Sequence, residues 1–188
     1  MSKFIDSILE RIEKEIKLAL KDINETKTKQ LLSEITKAKK VFVTGQGRSG
    51  LIAESFAMRL MQMSTKTYCI GDSTTPAISK DDLLIAISGS GKTEITNMII
   101  REAKKAKARI ILITSKKTTA EKTKLKNIDL FIEINAKSKK DINKSSIEPL
   151  GTLFEQASLL YLDAVIVLLM DTRNIKEKEL GKRHANLE

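Results

Sequence analysis

Ser88, Ser90 and Thr93 place three hydroxyls within six residues, with Gly89 between the serines and Gly91-Lys92 before the threonine. The apolar run Leu83–Ile87 precedes them, and a helical spacing at Ile95, Met98 and Ile99 follows. A glycine-rich turn between strand and helix presents backbone N–H groups, hydroxyls and a positive helix end at one point, which suits a phosphate monoester. Here Ser88, Gly89, Ser90, Gly91, Lys92 and Thr93 are the candidate phosphate binders. The competing reading is an ordinary turn with capping hydroxyls. A Walker loop is excluded, because the first glycine of its spacing would fall at Ala86.

A second turn, Gly45-Gln46-Gly47-Arg48-Ser49-Gly50, follows the short β-branched run Val41–Thr44. Its Gly-x-Gly-x-x-Gly spacing is also a dinucleotide fingerprint. Arg48 and Ser49 put polar side chains where such a loop keeps small ones, and Asp72 is only a loose match to a ribose-binding acid. NAD is therefore not the expected ligand. Gly45, Gly47, Arg48 and Ser49 are instead candidates for the same pocket as Ser88–Thr93.

Two further residues could move protons. Glu155 falls in the first turn of a strongly apolar helix, where an acid is favoured by the helix end and could equally serve as a general base. His184 is the only histidine and lies in a basic tail; its imidazole titrates near neutrality. One histidine, one cysteine (Cys69) and scattered carboxylates offer no metal-ligand spacing, so neither a metal nor another cofactor is expected.

The elements that must position these groups alternate. Helices are predicted over 3–22 and 26–38. Short strands follow at 41–44, 67–70, 83–87, 110–114 and 130–134, with helices after Gly50, up to Lys107 and over Thr119–Lys126. Five strands alternating with helices predict an α/β fold with a parallel sheet covered on both faces. In such sheets ligands collect beyond the carboxyl ends of the strands, where both glycine turns lie. Residues 135–151 are polar and unpatterned, as in a lid or an unstructured segment. A helix from Leu153 to Met170, apolar nearly all round, is expected to be buried on several sides, in part against another subunit. A charged helix is predicted from Ile175 to Leu187.

At 188 residues with 41 % apolar and 4 % aromatic content, one domain with an aliphatic core is expected. A single cysteine excludes an internal disulfide framework. The longest greasy stretch, Ala157–Met170, spans 14 residues and carries Asp163, short of the roughly 20 a membrane span needs. Soluble, cytoplasmic and not membrane-bound is the reading. The net charge of +10 suggests nucleic acid at first sight. The lysines are scattered over nearly every helix and aromatics for base stacking are scarce, so the charge reads as a solvated surface that draws anionic metabolites.

Val-Thr-Gly-Gln-Gly-Arg-Ser-Gly (43–50) followed by Ser-Gly-Ser-Gly-Lys-Thr (88–93) resembles the SIS (sugar isomerase) domain family. Four pieces resemble, more narrowly, its 6-phospho-3-hexuloisomerase members. They are Gly-x-Gly-Arg-Ser-Gly with Phe-Ala-Met-Arg-Leu-Met (56–61), Gly-Asp-Ser-Thr-Thr-Pro (71–76) with Asp-Asp-Leu-Leu-Ile (81–85), Leu-Gly-Thr-Leu-Phe-Glu (150–155), and Lys-Arg-His-Ala-Asn-Leu (182–187). Leu150 stands where this family has methionine.

The resemblance implies one SIS domain over 1–188, an αβα sandwich with N-terminal helices in 1–40, the sheet core in 41–134 and C-terminal helices in 152–188. It implies reversible isomerisation of D-arabino-hex-3-ulose 6-phosphate and D-fructose 6-phosphate by a homotetramer or dimer, working with a hexulose-phosphate synthase. Ser88, Ser90 and Thr93 would hold the phosphate, and Gly47, Arg48 and Ser49 would line the sugar. Glu155 would be the base, and His184 would help move protons, reaching a neighbouring subunit's pocket. The rivals are a non-catalytic sugar-phosphate sensor and a SIS isomerase for another sugar phosphate. Only about 40 residues precede the first strand, too few for the helix-turn-helix domain that regulators of this superfamily add.

Overall fold

The computed structural model describes residues 2–115, 128–137 and 146–187. Helices α1 (Ser2–Leu20) and α2 (Glu25–Lys37) lead into β1 (Val41–Gly45), α3 (Arg48–Gln62) and β2 (Thr67–Cys69). Then come β3 (Leu83–Ile87), α4 (Glu94–Lys105), β4 (Arg109–Ser115), β5 (Leu130–Ile134), α5 (Thr152–Arg173) and α6 (Glu177–Gly181). The five strands form one parallel sheet in the order β2-β1-β3-β4-β5. The helix predicted over Thr119–Lys126 and residues 138–145 of the predicted lid lie outside the described residues.

The apolar runs become strands because both faces of the sheet are covered. Successive residues alternate between two cores. Val41, Val43, Ile85, Ile87, Ile111 and Ile113 pack with α2, α3 and α5. Phe42, Leu84, Ala86, Ile110 and Leu112 pack with Ile100 and Ala103 of α4. A buried hydrogen bond of 3.1 Å joins Tyr161 Oη of α5 to Thr28 Oγ1 of α2, and burial pushes the Tyr161 hydroxyl up to about 12.

The amino-terminal edge of the sheet is laced by charges. Lys39 pairs with Asp81 at 2.7 Å, and Arg109 bridges Glu34 (3.2 Å) and Asp129 (3.0 Å). Buried Asp82 accepts from the Ser79 N–H and hydroxyl and pairs with Lys40 at 3.2 Å. A cavity of about 470 Å³ opens on this edge, but Lys39, Asp81 and Arg109 in its lining are already tied to one another or to neighbours.

Three expectations change. First, α3 begins at Arg48 rather than after Gly50, because Gly47 takes a left-handed φ of 59° as its N-cap and turns the chain early. Second, within the chain α5 is buried on one side, which leaves its other apolar face for the expected contact with another subunit. Phe154, Ala157, Ser158, Tyr161, Leu162, Val165 and Leu169 face the core, while Leu159, Leu160, Val167 and Leu168 remain exposed. By length and composition α5 could cross a membrane, yet half of its apolar window is buried within the fold, as in a core helix. Third, the tail is helical only over Glu177–Gly181. The Glu179 carboxylate accepts the Lys176 N–H at its start, and buried Leu180 anchors it. Beyond Gly181 no apolar residue up to Leu187 is buried, so nothing pays for further helix.

A side chain cannot fit at Gly45. A Cβ there would lie 2.5 Å from the Ser49 carbonyl oxygen, so the first turn of α3 rests directly on the end of β1. Gly45→Ala is expected to cost on the order of 1–3 kcal/mol by overpacking, read as a lower midpoint in urea denaturation.

Candidate active site

The strand order reverses direction between β1 and β3, and a crevice opens beyond their carboxyl ends, the usual ligand position in an open parallel sheet. It is a cleft of about 520 Å³. One wall is the turn after β3, with Ser88, Gly89, Ser90, Lys92 and Thr93. Gln46 and Ser49 contribute from the turn after β1. Gly151, Phe154 and Glu155 contribute from the start of α5.

The hydroxyls of the first wall are not spent on capping. Thr93 is the N-cap of α4, but its side chain makes no capping bond and stands 3.2 Å from Ser88 Oγ. Ser90 Oγ accepts the Lys92 N–H at 3.2 Å. Gly91 does not line the cleft; its φ of 62° lets its own N–H reach back to the Ser88 carbonyl at 3.0 Å and close the turn. Gly89 is pressed against Phe154, whose ring would stand 2.9 Å from an added Cβ. The phosphate-type turn and the first turn of α5 are thus in direct contact.

Glu155 is mostly shielded, and its Oε2 accepts from Arg48 Nε at the start of α3. The guanidinium itself is largely exposed at the cleft's edge. Gly45 and Gly47 do not line the cleft: Gly45 packs against the Ser49 carbonyl, and Gly47 is the exposed N-cap of α3. His184 is exposed and borders a different groove of about 510 Å³, with Arg59, Gln62 and Asp163. Within one chain the structure brings Ser49, the Ser88–Thr93 turn and Glu155 together, with Arg48 bonded to the last, and leaves His184 out. Among the described residues there is no cluster of three or more His, Cys, Asp or Glu side chains able to hold a metal.

Reading the sequence passed over two residues at the site. Phe154 forms the apolar wall. Glu148 ends the loop before α5 and is only 7 % exposed. Its N–H donates to Ser146 Oγ, and the Gln156 side chain hydrogen-bonds its carboxyl. Burial, then repulsion from Glu15, pushes the Glu148 carboxyl above the usual range; Arg48 opposes this and Glu155 adds to it. No spacing in the sequence marks Glu148, because it lies outside α5 and Leu150, with its positive φ, breaks any helical register to Glu155.

A parallel sheet with hydroxyl-rich turns at its switch point and a carboxylate across the cleft from them defines an α/β sandwich with a ligand cleft suited to an anion. The family model described as "SIS domain" matches residues 34–145, and the chain belongs to the SIS-domain family. Within that family it groups with the 3-hexulose-6-phosphate isomerases. The relative so named from Methanocaldococcus jannaschii is 42 % identical over 163 residues, which cover 87 % of this chain and 85 % of the relative. One from Bacillus subtilis is 38 % identical, covering 88 % and 89 %. A crystal structure from Methanococcus jannaschii, from which a molecular function of 3-hexulose-6-phosphate isomerase was inferred, superposes with a TM-score of 0.82 at 39 % identity and covers 97 % of this chain and 99 % of that one.

A folded state that holds the Glu148 proton more tightly than the unfolded chain loses stability as pH rises from the unfolded value through the folded one. Glu148→Gln removes that loss. Wild type and variant are expected to keep a constant difference in melting temperature below the unfolded glutamate ionisation, with the variant gaining on the wild type as pH rises from there through the folded Glu148 ionisation and levelling above it.

Proposed function

We propose that this chain interconverts D-arabino-hex-3-ulose 6-phosphate and D-fructose 6-phosphate through an enediol. The observation that carries the reading is the placement of a carboxylate, Glu155, across one cleft from the hydroxyl turn Ser88–Thr93. The isomerase names carried by relatives over most of the chain's length support it. Ser88, Ser90 and Thr93, with Lys92 beside them, hold the phosphate. The 3-keto sugar has no free O6 with which to close a five-membered ring, so it enters open-chain. Glu155 removes the proton from C2, the carbonyl oxygen at C3 takes up charge, and the enediolate collapses as the proton is returned to C3. Arg48 and Ser49 stand at the sugar side and stabilise the enediolate oxygen.

Moving the carbonyl from C3 to C2 also exchanges a proton between the two oxygens. His184 serves that step from a neighbouring subunit. The exposed apolar residues of α1 (Phe4, Ile5, Leu9) and of α5 (Leu159, Leu160, Val167) support a homo-oligomer, a tetramer or dimer. The same reading makes the protein soluble and cytoplasmic and places it in the ribulose monophosphate pathway, next to a hexulose-phosphate synthase that forms its substrate in formaldehyde assimilation.

The test is a coupled assay. A hexulose-phosphate synthase makes the 3-ketose from formaldehyde and ribulose 5-phosphate, and fructose 6-phosphate is read as glucose 6-phosphate. Glu155→Gln is expected to lose about 10²- to 10⁴-fold in kcat while still binding fructose 6-phosphate. Absence of product with the wild type would overturn the reaction, and an active Glu155→Gln would overturn the base. Ser88→Ala and Thr93→Ala each remove one hydrogen bond to a charged group and are expected to weaken binding of fructose 6-phosphate about ten-fold by calorimetry, with kcat much less affected.

A further inference from the structure

Glu148 sits among more negative charge than the site can neutralise. Its Oε2 is out of contact with water and has no hydrogen-bond partner. The charged groups facing it are Glu15 from α1, Arg48 from α3 and Glu155 from α5, with the neutral Gln156 amide beside them. Glu15 is engaged with Ser146 Oγ (2.5 Å) and the Ile147 N–H (3.1 Å). Arg48 is bonded to Glu155. Among the described residues the guanidinium that faces Glu148 is therefore already taken by Glu155, and the buried carboxyl has an oxygen with nothing to accept. An unpaired buried carboxylate is disfavoured strongly enough that the group keeps its proton instead.

We propose that Glu148 is a protonated positioning residue: while neutral it leaves Arg48 to Glu155, and on losing its proton it draws the guanidinium away from that carboxylate. The inference rests on the reading of Glu155 as the base. It adds a proton-controlled latch behind the base, made by a side chain that does not line the cleft. No group other than the proton enters or leaves. While Glu148 is neutral, Arg48 is left paired with Glu155. Once Glu148 is ionised, a further anion competes for the same cation.

The test needs no substrate, so it stands apart from any failure of the proposed reaction. Carboxyl-carbon NMR of the full-length protein, labelled at glutamate Cδ and arginine Cζ, is followed from pH 4 to pH 10. The Glu148 signal, assigned by its loss in Glu148→Gln, is expected to titrate well above the ordinary glutamate value of about 4.3. The Arg48 Cζ signal, assigned with Arg48→Lys, is expected to shift with the same midpoint in the wild type and to stay still in Glu148→Gln. In Glu155→Gln the Glu148 midpoint is expected to fall. A Glu148 midpoint in the ordinary range would overturn the proposal. So would an Arg48 signal that moves alike in wild type and Glu148→Gln. Should Glu148→Gln fail to fold, Glu148→Asp assigns the signal instead, and separate wild-type midpoints for Glu148 and Arg48 refute the latch. In the coupled assay the wild type is expected to lose kcat/KM on the alkaline side and Glu148→Gln to keep its plateau about one pH unit further, a shift that a purely structural role would not produce.

Discussion

Two close contacts set the position of everything at the carboxyl edge of the sheet. At Gly45 the backbone of α3 lies against the end of β1, and at Gly89 the ring of Phe154 lies against the turn after β3. Neither contact leaves room for a side chain. Through the first, Arg48 and Ser49 are delivered by a helix that starts as soon as the strand stops. Through the second, the helix carrying Glu155 is held against the phosphate-type turn. The cleft is what remains between these two fixed approaches, and its geometry follows from backbone packing before any polar contact is made.

Within that frame the electrostatics are economical. One guanidinium, from a residue in the first turn of α3, meets the carboxylate of a residue in the first turn of α5. Helix starts are positive, so an acid at the start of α5 is in a favourable place even without Arg48. Glu148 lacks both advantages. It lies ahead of the helix, where the positive φ of Leu150, 55°, turns the chain into α5, and it is buried. The carboxylate at the cleft and the buried one differ in surroundings, not in kind.

Much of this was legible in the residues. Five-residue apolar runs such as Leu83–Ile87 announce strands buried on both faces, and the glycine-hydroxyl turn marks the end of one of them. Glu155 was found because an acid opening a greasy helix stands out. Three features were not legible, each for a physical reason. The exposed face of α5 reads like the buried face, since the residues are equally apolar and only the sheet's position decides between them. The tail after Gly181 has the charge pattern of a helix, but the packing that would sustain one is missing. The burial of Glu148 depends on Glu15, which is over 130 residues away and reaches it only through the folding of α1 against the segment before α5.

The two edges of the sheet are built differently. At the amino edge, Lys39, Asp81, Arg109, Glu34 and Asp129 bind strand starts and loops into a network in which each charge answers another. At the carboxyl edge, turns of small residues hold a space open. Changes at the rim alter what the space accepts and leave the network untouched, whereas a change in the network strands a neighbouring charge without altering the space. A scaffold divided in this way can be diverted to a new ligand by substitutions among the side chains of the rim, provided they spare the Gly45 and Gly89 contacts on which that edge is packed.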